Sequence, residues 1–436
     1  MKRRTIIKSI LVLLLLCAPL FAWAAATPVT LWDFLSGGDG VRWRAIIDAF
    51  NTSQSDIFVN ATTLTWGVPF YTKVHTAVVA GDTPDVMTYH ISHFPAGIKA
   101  GDLRPITAAE LASVGLKFTD FNPALVNLSL DISKTYGKAG VIYGIPLDTH
   151  TSILYYNKDI LKQAGLLGAD GKPTGFTGIA QFTKSLQKIK DSTGMLPIAM
   201  SSSNDPATVW RMFYTLYSQQ GGKLAVNGQL KLDQLDTFGK TAMETIGGWA
   251  KDGLIPPNVD YPGSVALFTT GKAAFMFNGN WEVPTVVDMK AKGTLPFDYG
   301  LMAFPMLYGS QATWADSHNI AIPNNQKNPI SPAMLKTVLT WVAYVEKHAV
   351  AWAGGGHLPA YLPTLNGAEL KMLSPVNQYS AQAAKDVTLE PVSPVFGVGA
   401  PAYDFVANYL TPVLLGQIEA GDAVSQFKAQ LLSAAE

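Results

Sequence analysis

Cysteine is all but absent from this sequence: Cys17 is the one thiol in 436 residues. It sits within an apolar run, Ile10 to Ala22, that follows Lys2, Arg3, Arg4 and Lys8 and leads into Ala22-Trp23-Ala24-Ala25-Ala26. Positive, then apolar, then Ala-x-Ala is the layout of a secretory leader. The run has 13 residues, short of the about 20 that a membrane-spanning helix needs. Cleavage is expected after Ala24 or Ala26, within a leader of residues 1–26, and export with it. Leu14-Leu15-Leu16 precede Cys17 where a lipidation site wants a small residue, so no acyl anchor is expected. Arg3-Arg4 faintly resembles a twin-arginine signal, but the leucine-rich core favours the general route. Without the leader no thiol remains. That excludes a cysteine nucleophile and a thiolate metal site, and it suits an oxidising compartment.

An excess of one charge is missing too. Basic and acidic residues number 32 each. Removing the four basic residues of the leader from 32 leaves 28, a mildly acidic balance. Nucleic acid and anionic membranes select basic surfaces, so neither is an expected partner. His-Glu-x-x-His, Gly-x-Ser-x-Gly and a Walker loop are all absent. His90 and His93 are spaced for a metal, but two ligands are too few. No metal and no cofactor are expected, and no catalytic residue is assigned. Past the leader, no stretch free of charges and breakers is long enough to span a membrane.

What remains is a chain built for burial. Removing 26 of 436 residues leaves 410, more than one hydrophobic core accommodates, so about two domains are expected. Val29 to Phe34 reads as a strand, followed by the loop Ser36 to Gly40. Trp43, Ile46, Ile47 and Phe50 then recur at helical spacing. A strand at Ile57 to Leu64, a helix stopping at Gly81 and a strand opening at Pro84 follow. This alternation predicts an α/β unit with a largely parallel sheet. Helices are predicted over Ile179 to Lys190, Ala207 to Gln220, Leu235 to Lys251 and Met334 to Glu346. A last helix starts at Asp422. Gly354 to Pro363 reads as a loop.

Several segments, taken in order, resemble the family-1 extracellular solute-binding proteins. They are Leu31-Trp32-Asp33 with Ser36-Gly37-Gly38, Gly81-Asp82-Thr83-Pro84-Asp85-Val86, and Tyr143-Gly144-Ile145-Pro146 with Tyr155-Tyr156-Asn157-Lys158-Asp159. Phe268 to Phe275 with Asn278-Gly279-Asn280-Trp281, His318 to Pro323, and Gly356-His357-Leu358-Pro359-Ala360 complete the set. The resemblance implies a type II periplasmic-binding-protein-like α/β fold, with two discontinuous lobes joined by a hinge and ligand in the cleft between them. The first lobe takes residues 27–149 and 317–347, the second 150–316 and 348–436. Crossings are expected near Asp148 to Ile153, Trp314 to Ile320 and Lys347 to Gly354. It further implies a monomeric, periplasmic or extracytoplasmic receptor, not an enzyme, that hands a sugar to the permease subunits of an ABC importer.

A sugar has apolar C–H faces and a rim of hydroxyls, so aromatic platforms and bidentate polar groups recognise it. Trp281, just past a buried run, is the leading platform. Trp32, Trp210, Trp314, Tyr89 and Tyr403 are the others, and each also fits a core position. Asp39, with Ser36 and Gly38, lies in the glycine-rich loop where backbone approaches a ligand closely; a helix N-cap is its other reading. Asp148 and His150 occupy the first crossing and His318 the second. Asp205 precedes Pro206 at a helix start, where capping competes with binding. Asn280, Gly356 and His357 complete the candidates. Two rival readings stay open. A carbohydrate-active enzyme would need two carboxylates roughly 5 to 10 Å apart across the site. The same fold could instead hold a metal ion, with Tyr155-Tyr156 as ligands, or a polyamine or an anion.

Overall fold

A computed structural model describes residues 26–436 except residue 204. Residues 1–25 of the leader lie outside the described residues. The strands, in chain order, are β1 (Thr27–Asp33), β2 (Ile57–Thr63), β3 (Val86–His90), β4 (Ile145–Pro146) and β5 (Asp148–Asn157). Next come β6 (Leu196–Ala199), the small hairpin β7 (Ala225–Val226) and β8 (Gln229–Leu230), β9 (Ala273–Gly279) and β10 (Tyr299–Ala303). Then follow β11 (Thr313–Asp316), β12 (His318–Ala321), β13 (Leu358–Pro359) and β14 (Val387–Leu389).

The first sheet runs β2-β1-β3-β12-β4 and the second β14-β11-β5-β9-β6, with β10 and β13 also on β5. Only Leu147 separates β4 from β5, and only Ser317 separates β11 from β12. The chain therefore changes sheets within one residue, twice. The sheets are mixed rather than largely parallel. β1 pairs parallel with β2 and β3, but β12 runs antiparallel to β3. β5 is antiparallel to β9, β10, β11 and β13. The reason lies in the crossings: β5 and β12 enter their sheets directly from the other one, not through a helix that would reset their direction.

Local sequence explains each element. Val29, Leu31 and Asp33 of β1 are buried in alternation, as one covered face requires. In the helix Gly38–Ser53 the buried residues include Trp43, Ile46, Ile47 and Phe50. Gly81 ends the next helix in the left-handed conformation, its N–H returning to Ala77 and Val78. Asp85 then accepts hydrogen bonds from the N–H and hydroxyl of Thr30, clamping the entry of β3 to β1. The last helix starts at Ala420 with Glu419 as N-cap, so Asp422 lies in its first turn rather than capping it. Aromatic edges knit the interior: Trp43 meets Trp341 and Trp352 at 5.6 and 5.5 Å.

Three candidate platforms belong to this interior. Trp210, Trp314 and Tyr403 all donate to one oxygen of Glu390, at 2.7, 2.7 and 3.0 Å. All four residues are buried, because the polar edge of each aromatic finds its partner on an internal carboxyl instead of at a surface. Burial, helped by nearby Asp316, pushes the Glu390 carboxyl up to about 7, although the three donors pull it down. Tyr89 is buried as well, with its hydroxyl packed where a side chain on Gly97 would stand.

A carboxyl held protonated in the fold contributes most below its unfolded value and loses that contribution as pH rises through its folded value. For Glu390 that window runs from about 4.5 to about 7. Glu390→Gln keeps the accepting oxygen and cannot ionise. Its unfolding free energy, measured by urea titration, is expected to gain on the wild type by about 2–3 kcal/mol between pH 5 and pH 8, at about 1.36 kcal/mol per unit. A difference independent of pH would contradict this assignment.

Candidate functional site

Between the two sheets lies a cavity of about 360 Å³. It opens at the carboxyl ends of β1, β3, β6 and β9, where open α/β sheets hold their ligands. The first sheet supplies Phe34, Leu35, Ser36, Gly37 and Asp39 after β1, Trp66 after β2, and His90. The second supplies Asp205, Arg211, Tyr261, Trp281 and Glu282. His150 of β5 and His318 of β12 line it where the crossings meet.

The candidates Ser36, Asp39, His150, Asp205, Trp281 and His318 thus come together on one cavity. Asp205 also caps its helix: it accepts from the Ala207 N–H and the Ser201 and Thr208 hydroxyls. Asp39 lies in a first helical turn whose N-cap position is Gly37, and it accepts from the Gly40 N–H. Trp281 donates from its indole N–H to Tyr261, whose hydroxyl donates to Glu282. Burial raises the Glu282 carboxyl, against the pull of Tyr261 and Thr285.

Other candidates stand behind the lining. Asp148 is fully buried. It accepts from the backbone N–H of His318 at 3.0 Å and from the Trp352 indole at 2.7 Å, and it lies 2.9 Å from the His318 ring. His150 and His357 approach it at 3.3 and 3.4 Å. Burial works to raise the Asp148 carboxyl, but His318 and His357 overcome it and hold the group well below the usual carboxylate range. The same pairing raises His318 despite its burial, whereas burial lowers His150 to about 3. Asn280 donates to the Gly356 carbonyl. A side chain on Gly356 would come within 1.9 Å of the Asn280 carbonyl, and its φ is +96°. Gly38 is needed for a similar reason: a Cβ there would stand 2.9 Å from Pro284. Trp32 points away, half-buried, under the ammonium of Lys73. Trp210, Trp314, Tyr89 and Tyr403 are core residues, as described above.

Sequence reasoning missed Phe34, Trp66, His90, Arg211, Tyr261 and Glu282. Arg211 is the most consequential. Its guanidinium lies 4.6 Å from the ring centres of both Trp281 and Trp314. Trp66 had a visible signal, as an aromatic in the loop after a predicted strand.

Among the described residues, two groups of side chains bring their ligand atoms within 4.8 Å of one another, close enough to share a metal ion: Asp148, His150, His318 and His357, and His90, His150 and Asp316. In the first, Asp148 is already engaged by His318 and Trp352. In the second, Asp316 accepts from Ser92 and the Ser317 N–H, and His90 is bonded to the Tyr71 hydroxyl. A bound ion would displace those bonds.

The chain matches the family model described as bacterial extracellular solute-binding protein over residues 36–351. It is 29% identical over 222 residues to the arabinooligosaccharide-binding protein of Bacillus subtilis, an alignment covering 49% of this chain and 46% of that protein. It is 28% identical over 179 residues to the sn-glycerol-3-phosphate-binding periplasmic protein UgpB of Yersinia enterocolitica, covering 39% and 38%. The chain thus spans less than half the length of these two relatives. Its fold is similar to that of maltose-bound T. maritima MalE3, with a TM-score of 0.76 at 18% identity, over 94% of this chain and all of that one. That likeness identifies the architecture as the two-lobed type II periplasmic-binding-protein fold. With a family match that runs through strands of both sheets, the chain belongs to the bacterial extracellular solute-binding proteins.

Proposed function

We propose that this protein is the extracytoplasmic receptor of an ABC importer, capturing a sugar and delivering it to the permease. The cavity carries this reading. Trp66, Trp281 and Tyr261 offer aromatic surface, and Asp39, Asp205 and Glu282 offer acceptors for hydroxyls, within a single pocket. Its about 360 Å³ sits at the small end of the roughly 300–1,000 Å³ range of small-molecule sites, so a short saccharide suits it better than a long chain. The relatives named for arabinooligosaccharide and sn-glycerol 3-phosphate support a polyol ligand.

In this reading the lobes are residues 27–149 with 317–347, and 150–316 with 348–436. Strand pairing supports that division. Solute closes one lobe on the other about the crossings, and the protein acts as a monomeric receptor, not an enzyme. Export through the leader places it outside the cytoplasm, and no described helix is long and apolar enough to cross a membrane. Arg42 of the helix Gly38–Ser53 pairs at 2.5 Å with Asp288 of the helix Val283–Ala291, and in this reading the pair latches closure.

A thermal-shift screen against mono- and oligosaccharides is expected to raise the melting temperature with at least one of them, since ligand bound only by the native state stabilises it. No shift from any would contradict sugar capture. Trp281→Ala removes wall area on the order of 100 Å², about 2–3 kcal/mol at about 25 cal/mol per Å². Calorimetry is expected to show roughly 30- to 150-fold weaker binding of the identified sugar; unchanged affinity would remove Trp281 from the site. Arg42→Ala deletes a partly exposed ion pair of about 0.2–1 kcal/mol. Affinity is expected to fall by about 1.4-fold to fivefold at low salt and to converge on wild type at high salt. Equal affinities at low salt would exclude the latch.

A further inference from the structure

Arg211 is a buried cation with no anion beside it. Only 7% of it is exposed. Arg42, Arg44 and Arg104 each pair with a carboxylate at 3.0 Å or less. Among the described residues, none pairs with Arg211, and its Nε has no hydrogen-bond partner. The carboxylates of the same cavity are engaged elsewhere. Asp205 is held by Ser201, Thr208 and the Ala207 N–H. Glu282 is held by Tyr261 and Thr285, and Asp39 by the Gly40 N–H while facing His357 at 3.4 Å.

A guanidinium does not lose its proton, so burial cannot neutralise it. Trp281 and Trp314 at 4.6 Å, with Trp66 at 5.9 Å, stabilise the cation through their faces. Rings accept no hydrogen bonds from the guanidinium edge, however. The stack fixes the plane of the group and leaves its outer N–H donors for whatever fills the cavity, which Arg211 lines. Such a planar fork matches a carboxylate or phosphate bidentately.

We propose that the solute is acidic: a sugar or polyol bearing a carboxylate or phosphate, whose anionic group docks on the outer edge of Arg211. Asp39, Asp205 and Glu282 then accept hydroxyls at its other end. The inference rests on the cavity being the solute site and narrows the class of solute it takes.

Matched probes test it by calorimetry at low salt. Galacturonate against galactose reports on a carboxylate, and glucose 1-phosphate against glucose and sn-glycerol 3-phosphate against glycerol report on a phosphate. At least one acidic probe is expected to bind roughly tenfold or more tightly than its neutral parent. The stronger arm identifies the source of the anion. Arg211→Gln is expected to abolish that preference. Arg211→Lys keeps the charge without the fork and is expected to retain part of it; this variant also guards against a Gln variant that fails to fold. Neutral sugars binding as tightly as their acidic partners would overturn the proposal and leave sugar capture standing. Binding of neither class would overturn both. A preference for acids that survives in Arg211→Gln would place the anion elsewhere and overturn the role of Arg211.

Discussion

The two halves of this protein meet on one buried carboxylate. Asp148 is the first residue of β5, and His318, which it holds through both backbone and ring, is the first residue of β12. Those strands belong to different sheets, so the pair stitches the two crossings of the chain together. Trp352 joins the same carboxylate and stacks on His357 at 4.3 Å, carrying the contact into the tryptophan cluster of the interior. An unpaired charge in that position would be costly. Paired with His318 and surrounded by further donors, it stays ionised, and the polar floor of the cavity stays in a fixed geometry.

The cavity inherits its character from that arrangement. His150 and His318 reach it from the crossing strands, and the walls come from loops at the strand ends of each sheet. Burial lowers His150 and His90, so these rings line the pocket as neutral hydrogen-bonding groups. The lasting positive charge is on Arg211, braced between Trp281 and Trp314. Trp314 serves two neighbours at once, with its face to Arg211 and its indole N–H to Glu390. One aromatic side chain thereby links the pocket to the buried Glu390 carboxyl behind it.

Much of the fold was legible because it rests on local pattern. Helical spacing of Trp43, Ile46, Ile47 and Phe50 and the glycine stop at Gly81 led to an α/β unit, and the two lobes came with the family resemblance of the ordered motifs. The antiparallel entry of β5 and β12 was not legible, since strand direction is set by where the chain comes from and not by local pattern. Within the site, residues just beyond strand ends were readable, as with Asp39 and Trp281. Arg211 was not. It sits in the helix Pro206–Gln219, where every residue after Pro206 is buried, so no polar stripe marks the face that meets the cavity. Choosing Trp210 instead was an error of one position. One step along a helix turns a side chain by about 100°, enough to exchange the cavity for the Glu390 core. Tyr261 came to bridge Trp281 and Glu282 only through tertiary packing.

In the proposed function two sheets share one solute, so the relative position of the lobes is the quantity to measure. Small-angle X-ray scattering of the mature protein, with and without a saturating solute identified by thermal shift, reads it directly. The account predicts a smaller radius of gyration with solute, as the lobes close about the crossings. An unchanged scattering profile at saturation would contradict closure as the means of capture.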